Sequence, residues 1–127
     1  MSDVRPVDRP LICFVDDEPS ILASLSAAIR SRGDFDVSTF DRAAAFLAFG
    51  LAASTRCLVT DHKMPGMTGV ELLARVACLQ PSAGRLLITG WSQAVSDAEI
   101  EALEIDAVIP KPWEDAELRD GIRKAIA

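Results

Sequence analysis

Five short apolar runs alternate with five longer stretches patterned as helices, and this alternation constrains the fold more than any other feature of the chain. The runs are Leu11–Val15, Phe35–Phe40, Cys57–Thr60, Leu86–Thr89 and Ala107–Ile109. Each is short and strand-like, and strands alternating with helical stretches are the pattern of a parallel sheet covered by helices on both sides. Between the first two runs, Ile21, Leu22, Leu25, Ala28 and Ile29 recur on one helical face, with Pro19 at a first-turn position and Gly33 as a stop. Asp41 is placed to cap a second helix carrying Ala43, Phe46, Leu47 and Leu51. Thr68 and Glu71 have capping-box spacing before a third, whose core face is Leu72, Leu73, Val76 and Leu79. A second box, Ser96 with Glu99, opens a short fourth helix and leaves Gly90–Val95 as loop. The fifth runs from about Glu114 with Leu118, Ile122 and Ile126 on one face, its acids first and Arg123 and Lys124 last, as the helix dipole prefers. Strand–helix alternation of this kind implies an α/β unit, doubly wound, with a parallel sheet between helical layers.

Composition narrows the function classes. The 127 residues suit one domain, and a formal charge of −6 argues against nucleic acid held on a broad basic surface. No apolar run approaches the ~18 residues of a membrane span, and the polar stretch Met1–Arg9 does not read as a secretory signal. Cys13, Cys57 and Cys78 form no Cys-x-x-Cys pair and have no histidines at metal spacing; they read as small buried thiols in a reducing cytosol.

In an open parallel sheet, ligands sit beyond the carboxyl ends of the strands. The first strand ends in Asp16-Asp17-Glu18, the third in Asp61-His62-Lys63-Met64-Pro65-Gly66, the fourth in Thr89-Gly90-Trp91 and the fifth in Lys111-Pro112-Trp113. Carboxylates gathered from two strand ends repel unless a cation sits among them, and oxygen-only donors suit Mg²⁺. An ammonium and a hydroxyl converging there would grip phosphoryl oxygens, leaving one carboxylate to attack phosphorus.

With Val15-Asp16-Asp17-Glu18, Asp61 followed by Met64-Pro65-Gly66-Met67-x-Gly69, Thr89-Gly90 and Lys111-Pro112 in order, the sequence resembles the receiver domain of two-component response regulators. The resemblance covers the chain from about Leu11 to its end. It implies a flavodoxin-like domain with a five-stranded parallel sheet, order 2-1-3-4-5, and five helices; residues 1–9 would be a tail and 10–127 the receiver. Asp61 would be the phosphoacceptor. Asp17 would bind Mg²⁺ directly and Asp16 through water, with Asp61 and the backbone carbonyl of Lys63 as further ligands. Thr89 and Lys111 would bind the phosphoryl group, and the Lys111-Pro112 bond would be cis. The implied partners are a sensor histidine kinase or phosphotransfer protein and a downstream effector, in the cytoplasm, with homodimerisation open. Neither direct nucleic-acid binding nor a membrane is expected.

The chain departs from the family at Val108, where receivers carry Tyr or Phe whose rotation reports phosphorylation. Trp91 is the candidate to take over part of that signalling, its other role being to cover the rim of the site. Trp113 is expected to pack under the last helix, Met64 and Met67 to pack the loop, His62 to face solvent, and Pro110 to end the fifth strand. Two rival readings stand beside the switch. A degenerate receiver would dock a partner without phosphate, as Val108 favours. A small Mg²⁺-dependent aspartyl phosphatase would place two aspartates one residue apart on the nucleophile's own strand, whereas here the acid pair is adjacent and on another strand. The expected role is a signalling module, with autophosphorylation and autodephosphorylation its only chemistry.

Overall fold

The computed structural model describes residues 9–49, 55–90 and 95–127. The elements are β1 (Leu11–Val15), α1 (Pro19–Arg30), β2 (Asp36–Phe40), α2 (Ala43–Phe49), β3 (Cys57–Asp61), α3 (Gly69–Leu79), β4 (Gly84–Gly90), α4 (Asp97–Ala102), β5 (Ala107–Lys111) and α5 (Asp115–Ile126). All neighbouring strands pair in parallel, in the order β2-β1-β3-β4-β5. This is the flavodoxin-like arrangement expected, and its order reverses beside β1, so that the ends of β1 and β3 flank the switch point.

Strand pleat divides the core into two layers. Ile12, Phe14, Val59, Leu86 and Ile88 face α1 and α5, where Leu22, Leu25, Ile29, Leu118 and Ile122 meet them. Cys13, Val15, Leu58 and Leu87 face the other way, onto Phe46, Leu72, Leu73 and Val76. Burial of both faces explains why the central strands read as unbroken apolar runs. Both capping boxes form: Thr68 and Ser96 each accept from the backbone N–H three residues on, while Glu71 and Glu99 reach back. Pro19 occupies the first turn of α1, and Gly33 adopts φ +70°, a conformation that ends the helix at little steric cost.

Several expectations are corrected. Leu79 is 62% exposed, standing as the last residue of α3 after the buried Val76. Cys78, on the same turn, is exposed rather than buried. Pro110 does not end β5, which continues to Lys111; β5 is an edge strand, where a missing N–H need not interrupt the ladder. Leu51 lies outside the described residues.

The sequence pattern also hides a buried cation. Arg85, within the apolar β4, is only 5% exposed. Its guanidinium donates to the carbonyls of Leu103, Pro81 and Ala83 at 2.9, 3.1 and 3.0 Å and pairs with Glu104 at 3.7 Å. The C-terminal end of α4 is tied to the sheet in this way, although α4 itself contributes no buried residue.

Candidate functional site

Four strand ends bring the polar residues together. Asp16 follows β1 and is fully buried; Asp61 is the last residue of β3 and nearly so. Lys111 closes β5, and its Nζ donates to Asp16 Oδ2 at 3.2 Å and Asp61 Oδ1 at 3.4 Å. One ammonium thus bridges carboxylates 45 positions apart in the sequence. Thr89 is buried in β4 one residue past Ile88, the register partner of Asp61, and directly before Gly90, the partner of Lys111. The Lys111-Pro112 bond is cis, as expected.

The acidic side is equally ordered. Asp16 Oδ1 accepts from the Glu18 backbone N–H at 2.9 Å, which fixes the carboxylate's plane. Asp16, Asp17 and Glu18 can each offer one oxygen, with those atoms all within 4.8 Å of one another. Asp17 and Glu18 are exposed. Burial pushes the Asp16 carboxyl above its ordinary pKa; the Glu18 N–H opposes this, Asp61 adds to it and Lys111 opposes it. Burial also raises Asp61, against the pull of Lys111 and with a smaller push from the Asp17 charge. For Lys111, burial disfavours the charged form, yet the two carboxylates outweigh it and hold its pKa up. Asp16 and Asp61 share the Lys111 ammonium, and the exposed Asp17 and Glu18 stand beside Asp16, so among the described residues negative charge is under-compensated. An all-oxygen donor set of that charge fits a hard divalent cation.

The site loop is set by close packing. Gly69, the first residue of α3, donates its N–H to the His62 carbonyl at 2.7 Å. A Cβ there would collide with the Asp61 carbonyl oxygen and stand 2.7 Å from Leu87 Cδ1 and 2.8 Å from His62 Cα. Met64 is buried and Met67 half-buried against the α3-side core, as loop packing requires. His62 differs from expectation: it is partly buried, and its Nδ1 is shut from solvent with no hydrogen-bond partner among the described residues.

The remaining candidates are placed less centrally. Lys63 lies two residues beyond Asp61 with its side chain exposed. Val108 is 36% exposed on β5, opposite Leu87. Trp91 lies outside the described residues. Trp113 packs against the α1/α5-side core, and its indole N–H donates to Asp115 at 3.1 Å. Sequence reasoning stopped at the aspartates and did not count Glu18 in the acidic group, although its adjacency to Asp16-Asp17 was the signal.

The response regulator receiver domain family matches residues 12–123. The transcriptional regulatory proteins FixJ of Bradyrhizobium diazoefficiens and Rhizobium meliloti are each 37% identical, over 117 and 114 residues. These matches cover 91% and 88% of this chain but 56% and 54% of the two FixJ proteins, so the chain spans about half the length of the curated relatives it matches. The crystal structure of the signal receiver domain of an HD domain-containing protein from Pseudomonas fluorescens Pf-5 superposes with a TM-score of 0.85 at 30% identity, covering 94% of this chain and 95% of that one. By sequence, topology and the match over nearly its whole length, the chain belongs to the receiver domains of two-component response regulators.

Proposed function

We propose that the domain is a phosphorylation-controlled switch in which Asp61 takes a phosphoryl group from a phosphohistidine on a sensor kinase or phosphotransfer protein. The observation that carries this reading is the bridge of Lys111 between Asp16 and Asp61 at the strand ends, beside further acidic groups. Asp17, Asp61 and the Lys63 carbonyl would hold Mg²⁺ directly, and Asp16 through water. The metal supplies charge neutralisation on the transferring group. Asp61 supplies the attacking oxygen. Thr89 donates a hydrogen bond to one phosphoryl oxygen and Lys111 pairs with another, so both stabilise charge that grows as the new O–P bond forms. The mixed anhydride carries about two negative charges near neutral pH where a carboxylate carried one, and that difference drives the response.

The receiver unit begins near residue 10, where the Pro10 carbonyl already accepts from the Asp36 N–H. It works in the cytoplasm and passes its signal to an effector region or protein. No helix among the described residues is long and apolar enough to cross a membrane.

The test is incubation with a small phosphodonor and Mg²⁺, read by intact mass. One added phosphoryl group, lost in Asp61→Asn and without chelatable metal, is expected. A folded protein that gains none instead supports the second reading, a docking module, which the absence of an aromatic ring at Val108 favours.

A further inference from the structure

Beside the acidic cluster lies a cavity that the switch chemistry leaves unused. It is an open hollow of about 670 Å³ with Lys111 at its edge, and Glu18, Ile21, Pro112, Trp113 and Asp115 are among its walls. Two features define what it would accept. Ile21, Pro112 and Trp113 give it an apolar flank with one large flat ring, while Glu18 and Asp115 contribute carboxylates. The ring is held: Trp113 packs on the core and its N–H is engaged by Asp115 at 3.1 Å. Lys111, part of the same wall, stands 3.4 Å from Asp61 Oδ1. A molecule whose phosphoryl group meets Lys111 and Asp61 therefore has this hollow within reach of its other end.

Resting on the phosphoacceptor reading above, we propose that the hollow receives the leaving group of the phosphodonor and selects a flat, cationic nitrogen ring over an acyl group, with Trp113 as the specificity-determining residue. In the favoured reaction an Asp61 oxygen forms a bond to phosphorus as the P–N bond of a protonated N-phosphoimidazole breaks. The bonding pair returns to the ring nitrogen, and the ring, already protonated on its distal nitrogen, departs as neutral imidazole. Before transfer its positive charge is attracted by Glu18 and Asp115, and its face stacks on the indole. With an acyl phosphate the P–O bond breaks and a carboxylate departs. That anion would develop beside Glu18 and Asp115, which repel it.

The experiment compares monophosphoimidazole with acetyl phosphate on the full chain with Mg²⁺, following adduct formation by intact mass over a range of donor concentrations. Removal of the ring in Trp113→Ala is expected to lower the ratio of the two kcat/KM values about tenfold, chiefly through KM for monophosphoimidazole. Trp113→Phe, which keeps a ring, should restore most of that ratio. Imidazole alone, below its pKa, should shift the indole N–H resonance of Trp113, distinguished from that of Trp91 with Trp91→Phe. Adducts from both donors with an unchanged ratio in Trp113→Ala, or an unmoved indole signal, overturn the specificity proposal and leave the phosphoacceptor reading standing. No adduct from either donor on folded wild-type protein overturns both.

Discussion

Replacing Gly69 with alanine sets two physical effects against each other, and the structure decides the sign. At the start of a helix, Gly→Ala ordinarily stabilises by about 0.5–1 kcal/mol, because glycine surrenders more backbone entropy on folding. Gly69 has no positive φ to forbid the change. The new Cβ, however, would overlap the Asp61 carbonyl oxygen and lie 2.7 Å from Leu87 Cδ1 and 2.8 Å from His62 Cα. Two of those three obstacles are backbone, so no rotamer change relieves them. The first turn of α3 must move outward by roughly 1 Å or β3 must give way, an overpacking cost of about 1–3 kcal/mol or more. It falls at the upper end because Leu72 and Leu73, on the same turn, are fully buried. The net expectation is a loss of at least about 2 kcal/mol, or roughly 6–10 °C in Tm for a domain of this size. Urea denaturation measures it, with Thr68→Ala, which removes only a cap worth about 1 kcal/mol, as the control for a simply weakened helix. A Gly69→Ala protein as stable as wild type, or more so, would refute the steric reasoning.

Two further outcomes follow from the electrostatics. Glu71 is held below its ordinary pKa by its hydrogen bonds to the Thr68 backbone N–H and side chain; its stabilising effect is therefore complete above its unfolded-state pKa and lost as pH falls through the depressed folded value. Glu71→Gln, which can still accept that bond, should show a smaller stability loss than wild type between pH 7 and the acid limb of a denaturation series, and identical pH slopes would count against the capping box as the cause. Lys111→Met removes the cation shared by two buried carboxylates and should cost about 1–3 kcal/mol at neutral pH. Millimolar Mg²⁺ should recover part of that loss in urea denaturation; an unchanged midpoint with and without the metal would argue that the acidic group does not bind it.

What the sequence disclosed, and what it did not, follows from where each signal arises. The central strands were legible because a parallel strand with both faces covered must be apolar throughout, as β3 is. The helix starts of α3 and α4 were legible because capping chemistry is local, three residues apart. Aspartates and a lysine directly after such strands were legible as a cluster because parallel topology sends every carboxyl end to one edge. Boundaries were harder: β2 is an edge strand with Asp36 and Thr39 exposed, and β4 continues backward through Arg85, a charge that periodicity would place outside a core. Its burial depends on carbonyls from Pro81 and Ala83, in the turn before β4, and from Leu103, in the turn before β5. Likewise no spacing rule relates Ile21 to Trp113, which share a cavity only because α1 and the start of α5 lie on the same face of the sheet.

Charge counting at the site indicates how phosphorylation would be felt in a receiver that lacks an aromatic residue at Val108. Asp16, Asp17, Glu18 and Asp61 bring four negative charges against the one of Lys111, and a bound divalent cation would offset two of them. Converting the Asp61 carboxylate to an acyl phosphate then adds about one negative charge without adding any compensating group. Lys111 is already committed to Asp16 at 3.2 Å and Asp61 at 3.4 Å, so it can answer the new charge only by redistributing those contacts. Thr89 is placed differently: it lies within β4, one residue before Gly90, at the strand end that precedes α4. That helix has no fully buried residue, only Ile100 packing partly buried on the core, and is fastened at its far end through Arg85 to Leu103 and Glu104. A shift passed from Thr89 to α4 would meet the packing of Ile100 on the α3-side core and then that anchor. The differential contact at Thr89 and Lys111 is the sole source of free energy for such a shift, about 1–3 kcal/mol for couplings of this kind, and a weakly packed helix is the element that an input of that size can move without a swinging aromatic ring.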